Sequence, residues 1–225
     1  KKIEPLVHPL ASMAEMDQWS QKYIGQYFNS TEGRKLLIRA TFQQAKEDGV
    51  TVLEIGEDVW GLKEFFHNDI DELVESFTSA QREIAPEIEL RLQIGLSRHC
   101  PISYLEDCLS YFWGNKNFYS IDLYGDEFAQ PIENFKGIYR RAKKEGLRLK
   151  AHVGEWGTAK DIRTAVEELE LDEVQHGIAA AGDESVIRFL AENKIRLNIT
   201  PTSNVLLGRV ADMAEHPIGK LYRSG

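Results

Sequence analysis

Leu147, Leu149 and Ala151 alternate with Arg148 and Lys150, the two-residue period of a short strand. Comparable short apolar runs recur along the chain. Val50–Ile55, Leu90–Leu96, Phe118–Leu123, the segment from Leu147, Val174–Ile178 and Ile195–Thr200 all read as strands. Between them the apolar spacing lengthens to that of helices: Asp69 to Ile84, Pro101 to Phe112, Pro131 to Glu145 before Gly146, Thr158 to Leu169, and Asp183 to Asn193. Two further helices are expected ahead of the first strand. Met13–Phe28 carries Trp19, Tyr23, Ile24, Tyr27 and Phe28 at helical spacing, which predicts helix core for these aromatic rings. A second helix is expected from Glu32 to Glu47, with Ser30-Thr31 placed to cap it and Asp48-Gly49 to end it.

Strands alternating with helices indicate βα units and a parallel sheet. Two architectures use this rhythm, a doubly wound open sheet and a (β/α)₈ TIM barrel. No Gly-x-Gly-x-x-Gly follows the first strand, and no Walker A lysine motif is present. Polar residues instead recur just past strand ends: Glu57-Asp58, Ser97-Arg98-His99, Gly125-Asp126-Glu127, His152 with Glu155, His176, and Thr202-Ser203-Asn204. Catalytic groups spread over several strand ends are a barrel's habit. The expectation is therefore an α/β chain of TIM-barrel type, one incomplete domain over residues 1–225, with six of the eight strands visible.

Composition narrows the partners. The chain has 225 residues, of which 42% are hydrophobic and 28% charged, ordinary values for a folded domain. A net charge of −9 argues against a nucleic-acid partner, since a phosphate backbone needs a basic surface. Apolar runs are too short for a membrane span, and the N-terminus lacks a signal-peptide core. Cys100 and Cys108 do not have the spacing of a zinc knuckle and are expected to be small buried residues. A cytoplasmic setting is the expectation.

A histidine and a carboxylate leaving one strand, with a histidine on the next, place a metal ligand, an acid and a base within reach of one pocket. His152-Val-Gly-Glu155 resembles the His-Ala-Gly-Glu motif of the adenosine deaminase family, with Val153 in place of alanine. Asp122-Leu-Tyr-Gly-Asp-Glu127 is similar to that family's Asp-Leu-x-Gly-Asp-Glu segment, and His176-Gly177 to its His-Gly dipeptide. Pro201-Thr-Ser-Asn204 and His216-Pro217 match its last two stretches, in the same order. The resemblance implies that His152 is a zinc ligand and Glu155 the proton donor to purine N1. It implies that His176 orients or deprotonates the zinc-bound water, and that Gly125 places a backbone N–H against a purine substrate.

The chemistry is consistent with these roles. Zinc lowers the pKa of bound water towards ~7, and an aromatic ring resists attack until its nitrogen gains a proton. Asp122, Asp126 and Glu127 divide evenly between direct site roles and hydrogen-bonding to strand ends, whereas Ser97-Arg98-His99 are favoured as structural. His8, His67 and His216 are expected to be structural or solvated, and Glu167-Glu168 with Glu170 a solvated helix face.

The family takes further zinc ligands from a His-x-His pair on its first strand and an Asp-Asp pair after its last, and neither pair occurs here. A longer chain is therefore expected to carry His-x-His ahead of Lys1 and Asp-Asp after Gly225. The 225 residues alone are expected neither to hold zinc tightly nor to deaminate adenosine. Two other functions stay open at this point: a non-catalytic homologue that binds purines or partners, and another metal-dependent hydrolase on the same barrel. Oligomeric state is not legible.

Overall fold

The structure is a computed structural model and describes residues 10 and 12–225. His8 lies outside the described residues. Helices α1 (Met13–Tyr23) and α2 (Thr31–Glu47) precede β1 (Val52–Asp58). Then come α3 (Val59–Phe66), α4 (Ile70–Ile84), β2 (Glu89–Ser97), α5 (Ile102–Leu109) and β3 (Phe118–Tyr124). The chain continues through α6 (Lys136–Glu145), β4 (Arg148–Val153), α7 (Ala159–Leu169), β5 (Glu173–His176), α8 (Glu184–Glu192) and β6 (Arg196–Asn198). It ends with α9 (Pro201–Leu206) and α10 (Ile218–Arg223).

The strand order is β1-β2-β3-β4-β5-β6, without reversal. A doubly wound sheet must reverse direction at a switch point, so the sequential order is that of a barrel's consecutive strands. The six expected strands are all present. Short helices were missed where polar or glycine-containing segments obscure the period: α3, α9 and α10 had no counterpart in the pattern. The helix expected over 131–145 opens instead with a 3₁₀ turn at Ile132–Phe135.

The described residues group into two compact units, one of residues 19–96 and 100–121, the other of 10, 12–18, 97–99 and 122–225. In the first unit, Ser30 caps α2 by accepting from Gly33 N–H, and Asp69 caps α4 by accepting from Glu72 N–H. Phe42, Leu62, Phe66, Leu73 and Phe77 are buried between the helices and β1–β2. The expectation for the aromatic residues of the first helix is corrected here. No residue of α1 is buried, Tyr27 is exposed, and Trp19 and Tyr23 stack on each other at 5.7 Å. Helical spacing marks one face but does not show what covers it.

In the second unit β4, β5 and β6 pair in parallel, with His152 opposite Gln175 and Val153 opposite His176. Thr158 and Asp161 form a reciprocal capping box that starts α7 directly after the loop leaving β4. Gly146 ends α6 in the left-handed conformation, as the sequence indicated. Cys108 is buried and Cys100 is half-buried, and neither forms a disulfide. Glu167 and Glu170 are exposed, paired with Arg163 and Lys143. Among the described residues no helix is long and apolar enough to cross a membrane.

Glu57, near the end of β1, is buried, and burial pushes its carboxyl up to about 7 despite Arg34 at 3.4 Å. Below the ordinary glutamate range the group is protonated in folded and unfolded chain alike. As pH rises towards about 7, the unfolded carboxyl ionises while the folded one resists, and stability falls by up to ~3 kcal/mol. Glu57→Gln removes this dependence. Urea unfolding at pH 5 and pH 8 should show the wild type losing stability between them and the variant losing distinctly less.

Candidate active site

The site is built on the ends of β3, β4 and β5 and on the segments that follow β4 and β6. Asp122, in β3, is buried and approaches His152 Nδ1 through Oδ1 at 3.3 Å. Its other oxygen accepts from Gln175 Nε2 at 3.1 Å. His152 and Gln175 are register partners, so the three side chains share one face of the sheet. Burial opposes a charged His152 ring, but the charge and hydrogen bond of Asp122 outweigh it and hold the pKa above the ordinary value. A carboxylate on one ring nitrogen is the support a metal-ligating histidine receives.

His176 reaches the same place by a different route. Pleat parity pairs it with Val153 rather than with His152. Its φ of 64° leaves the strand conformation, and its ring lies 5.3 Å from that of His152. A non-glycine residue held there costs on the order of 1–3 kcal/mol, strain that gathers at functional sites. Burial and the neighbouring His152 bring the His176 pKa down to about 4, so the ring is uncharged near neutrality.

Glu155 Oε1 stands 3.3 Å from His176 Nδ1, and both are mostly buried. Burial raises the Glu155 carboxyl above its usual range, with His152 opposing and the Glu127 charge adding to the rise. The backbone of Glu155 is fixed by Glu127. One oxygen of that buried carboxylate accepts from Glu155 N–H at 2.9 Å and Trp156 N–H at 2.8 Å. The other accepts from Gly154 N–H at 2.7 Å and Gly157 N–H at 3.3 Å. Gly154 has φ 76°, and a Cβ there would meet Ile162 Cδ1 at 2.4 Å, so only glycine fits. Trp156 is covered by the Arg209 guanidinium, 3.8 Å from the ring centroid.

Gly125, with φ 100°, turns the chain after β3 against the His99 ring, whose Cδ2 would lie 3.2 Å from a Cβ. Asp126 N–H donates to His99 Nε2 at 3.4 Å. His99 therefore supports the Gly125 turn, and Asp126 accepts from Phe128 N–H within its own turn. His67 ends α3 and is exposed. His216 is not solvated: it is buried and bonded to Asn204, which contacts both Glu155 and His176.

The structure thus brings together His152, Glu155 and His176, and sets Gly125 in a turn that requires glycine. Sequence reasoning left Asp122 and Glu127 undecided and gave Asn204 and His216 no role in the chemistry. The signal for all four was their place inside the quoted motifs. An apolar groove of about 640 Å³, lined by Ile187, Leu190, Leu197, Ile199 and Leu221, lies apart from these residues. It has the volume of a ligand site but lacks the convergent titratable groups that mark one for catalysis.

The family model described as adenosine deaminase matches residues 3–225. The chain belongs to the adenosine deaminase family. A Treponema pallidum (strain Nichols) protein provisionally named an adenosine/adenine deaminase is 38% identical over 189 residues, 84% of this chain and 63% of the relative. The chain spans less than two thirds of the length of curated relatives that it matches. Among solved structures, an adenine deaminase from Arthrobacter aurescens superposes with a TM-score of 0.80 at 22% identity, covering 96% of this chain and 67% of the other. An amidohydrolase from Burkhoderia ambifaria with bound Zn gives 0.74 at 21%, covering 88% and 56%. Arabidopsis ADAL complexed with IMP gives 0.77 at 16%, covering 95% and 65%. These likenesses establish the fold, with the six parallel strands as part of a deaminase-type barrel.

Zinc can be tested against the residues present. His152, with a buried carboxylate behind it, has the chemistry of a zinc ligand. Among the described residues no group of three or more His, Cys, Asp or Glu side chains is arranged to hold a metal ion.

Glu127→Gln keeps the side chain's size but turns one acceptor end into an amide donor facing two N–H groups. Two charge-assisted bonds are lost, each worth about 1.5–3 kcal/mol. The variant is expected to unfold at lower denaturant, with faster hydrogen exchange at Gly154, Glu155, Trp156 and Gly157. Unchanged exchange at those four amides would show that the loop holds itself.

Proposed function

We propose that this site carries out hydrolytic deamination of an adenine-type purine, releasing ammonia, as part of a zinc-dependent aminohydrolase. The observation that carries the reading is the juxtaposition of a buried carboxyl of raised pKa, Glu155, with an uncharged His176 and the carboxylate-backed His152. Membership of the deaminase family, the Zn-bound relative and the IMP-bound relative support it.

Glu155 supplies the proton. An aromatic purine accepts a nucleophile at the carbon bearing its amino group only when the adjacent ring nitrogen is protonated, and burial that raises the Glu155 pKa favours the proton-bearing form of that carboxyl. His152 serves as a metal ligand, its ring oriented by Asp122. Zinc, when bound, lowers the pKa of a water towards ~7. His176, with a pKa near 4, is too weak a base to hold a proton at neutral pH and instead orients a partner by hydrogen bonding. The turn at Gly125 lets backbone approach a flat ring closely. Adenine, adenosine and adenosine monophosphate all present the same reacting edge. The second reading, a non-catalytic purine-binding homologue, draws on the incomplete ligand set among the described residues.

In the natural protein supplied with zinc, Glu155→Gln is expected to lower kcat by at least ~10²–10⁴-fold while zinc content and purine affinity persist. His152→Ala should lose metal and turnover together. Ammonia release, metal analysis and inhibitor binding on both variants provide the check. Turnover by Glu155→Gln within a few-fold of wild type would move the acid role elsewhere. A wild type that binds purine without releasing ammonia would favour the non-catalytic reading.

A further inference from the structure

Asn204 is fully buried, and its amide touches three functional groups at once. Nδ2 lies 3.2 Å from Glu155 Oε1 and 3.2 Å from His176 Nδ1, and Oδ1 lies 3.2 Å from His216 Nε2. Behind it, Ile218 N–H points at His216 Nδ1, 3.1 Å away. A backbone N–H can only donate, which makes the direction of the whole series determinate.

Nδ1 of His216 must accept, so an uncharged ring carries its hydrogen on Nε2. Burial lowers the His216 pKa and favours that uncharged ring. Nε2–H then donates to Asn204 Oδ1, and the opposite amide orientation would set N–H against N–H. With Oδ1 engaged, the two hydrogens of Nδ2 face the two remaining neighbours, Glu155 Oε1 and His176 Nδ1. These three atoms form a nearly equilateral triangle, the third side being the 3.3 Å between the carboxyl oxygen and the ring nitrogen. Thr200 Oγ1, 3.0 Å from His176 Nδ1, offers a further hydroxyl donor to the same lone pair.

We propose that His216 and Asn204 are positioning residues that hold His176 in the Nε2–H tautomer. A nitrogen that accepts from Asn204 cannot itself bear hydrogen, so His176 Nδ1 is bare and Nε2 is the donor. His176 therefore offers the substrate side of the site a hydrogen to donate. One backbone amide of α10, 42 residues from His176, fixes the state of that ring.

The catalytic meaning of this inference rests on the proposed deamination, whereas the tautomer rests on the hydrogen bonds alone, and the test keeps them apart. Two-bond ¹H–¹⁵N correlation spectra of ring-labelled histidine in the 225-residue chain read the tautomer directly, with His176 assigned by its loss in His176→Gln. The wild type is expected to show His176 protonated at Nε2. Asn204→Asp replaces the donor with an acceptor and is expected to shift the hydrogen to Nδ1. His216→Leu should lose the single tautomer, and His216→Gln, whose amide can still donate to Asn204 Oδ1, should retain it.

In the natural enzyme Asn204→Asp should lower kcat by about 10²-fold with KM little changed, as a misplaced group does. A wild-type His176 protonated at Nδ1, or an Asn204→Asp ring still protonated at Nε2, would overturn the proposal. Should His216→Leu fail to fold, the wild-type and Asn204→Asp spectra decide. Absence of deamination in the natural protein would count against the proposed function and leave the tautomer to be judged by the spectra.

Discussion

Four backbone N–H groups of one loop, from Gly154 to Gly157, converge on the carboxylate of Glu127, and the geometry of the site depends on that convergence. A loop leaving a parallel strand has no ladder partner for its amides, and buried amides without acceptors are costly. One carboxylate satisfies four of them at once. The backbone of Glu155 is thereby pinned. The same negative charge also raises the Glu155 pKa.

Around this anchor the polar groups divide by where they act. Asp122 sits on the strand face with His152 and biases that ring towards binding a cation. Asn204 and His216 arrive from segments after β6 and govern His176 and the carboxyl of Glu155. Each of the three side chains of the candidate site is thus held by a group from a different part of the chain. Tight coupling of this kind makes single-residue contributions non-additive. The arrangement also separates two electrostatic demands. His152 is drawn towards positive charge by Asp122, and His176 is kept neutral by burial and by His152 itself.

The buried charges below the strand ends have a different purpose. Lys150 and Glu173 are both buried and pair at 3.1 Å, with Asn198 donating to the same carboxylate. They lie on neighbouring strands in register, Lys150 opposite Glu173. A complete barrel encloses a packed interior, and a paired, hydrogen-bonded ion pair fills it without leaving an unmatched charge.

The sequence by itself determined the βα rhythm, the sequential strands and the strand ends at which chemistry gathers. Those follow from hydrophobic periodicity, turn residues and local caps, which are properties of neighbouring residues. His152 and Glu155 were legible because they share one strand end, and His176 because its motif stood one βα unit later. Tertiary structure alone decided the rest. Strand parity would place His176 with Val153, and only a left-handed backbone turn at that residue brings its ring to His152. Glu127 clamps a loop about 28 residues away, and His216 acts through Asn204 at a distance no periodicity encodes. These contacts exist because folding brings donors to acceptors from separate segments, and a hydrogen bond leaves no trace in sequence spacing until the chain between its partners has folded.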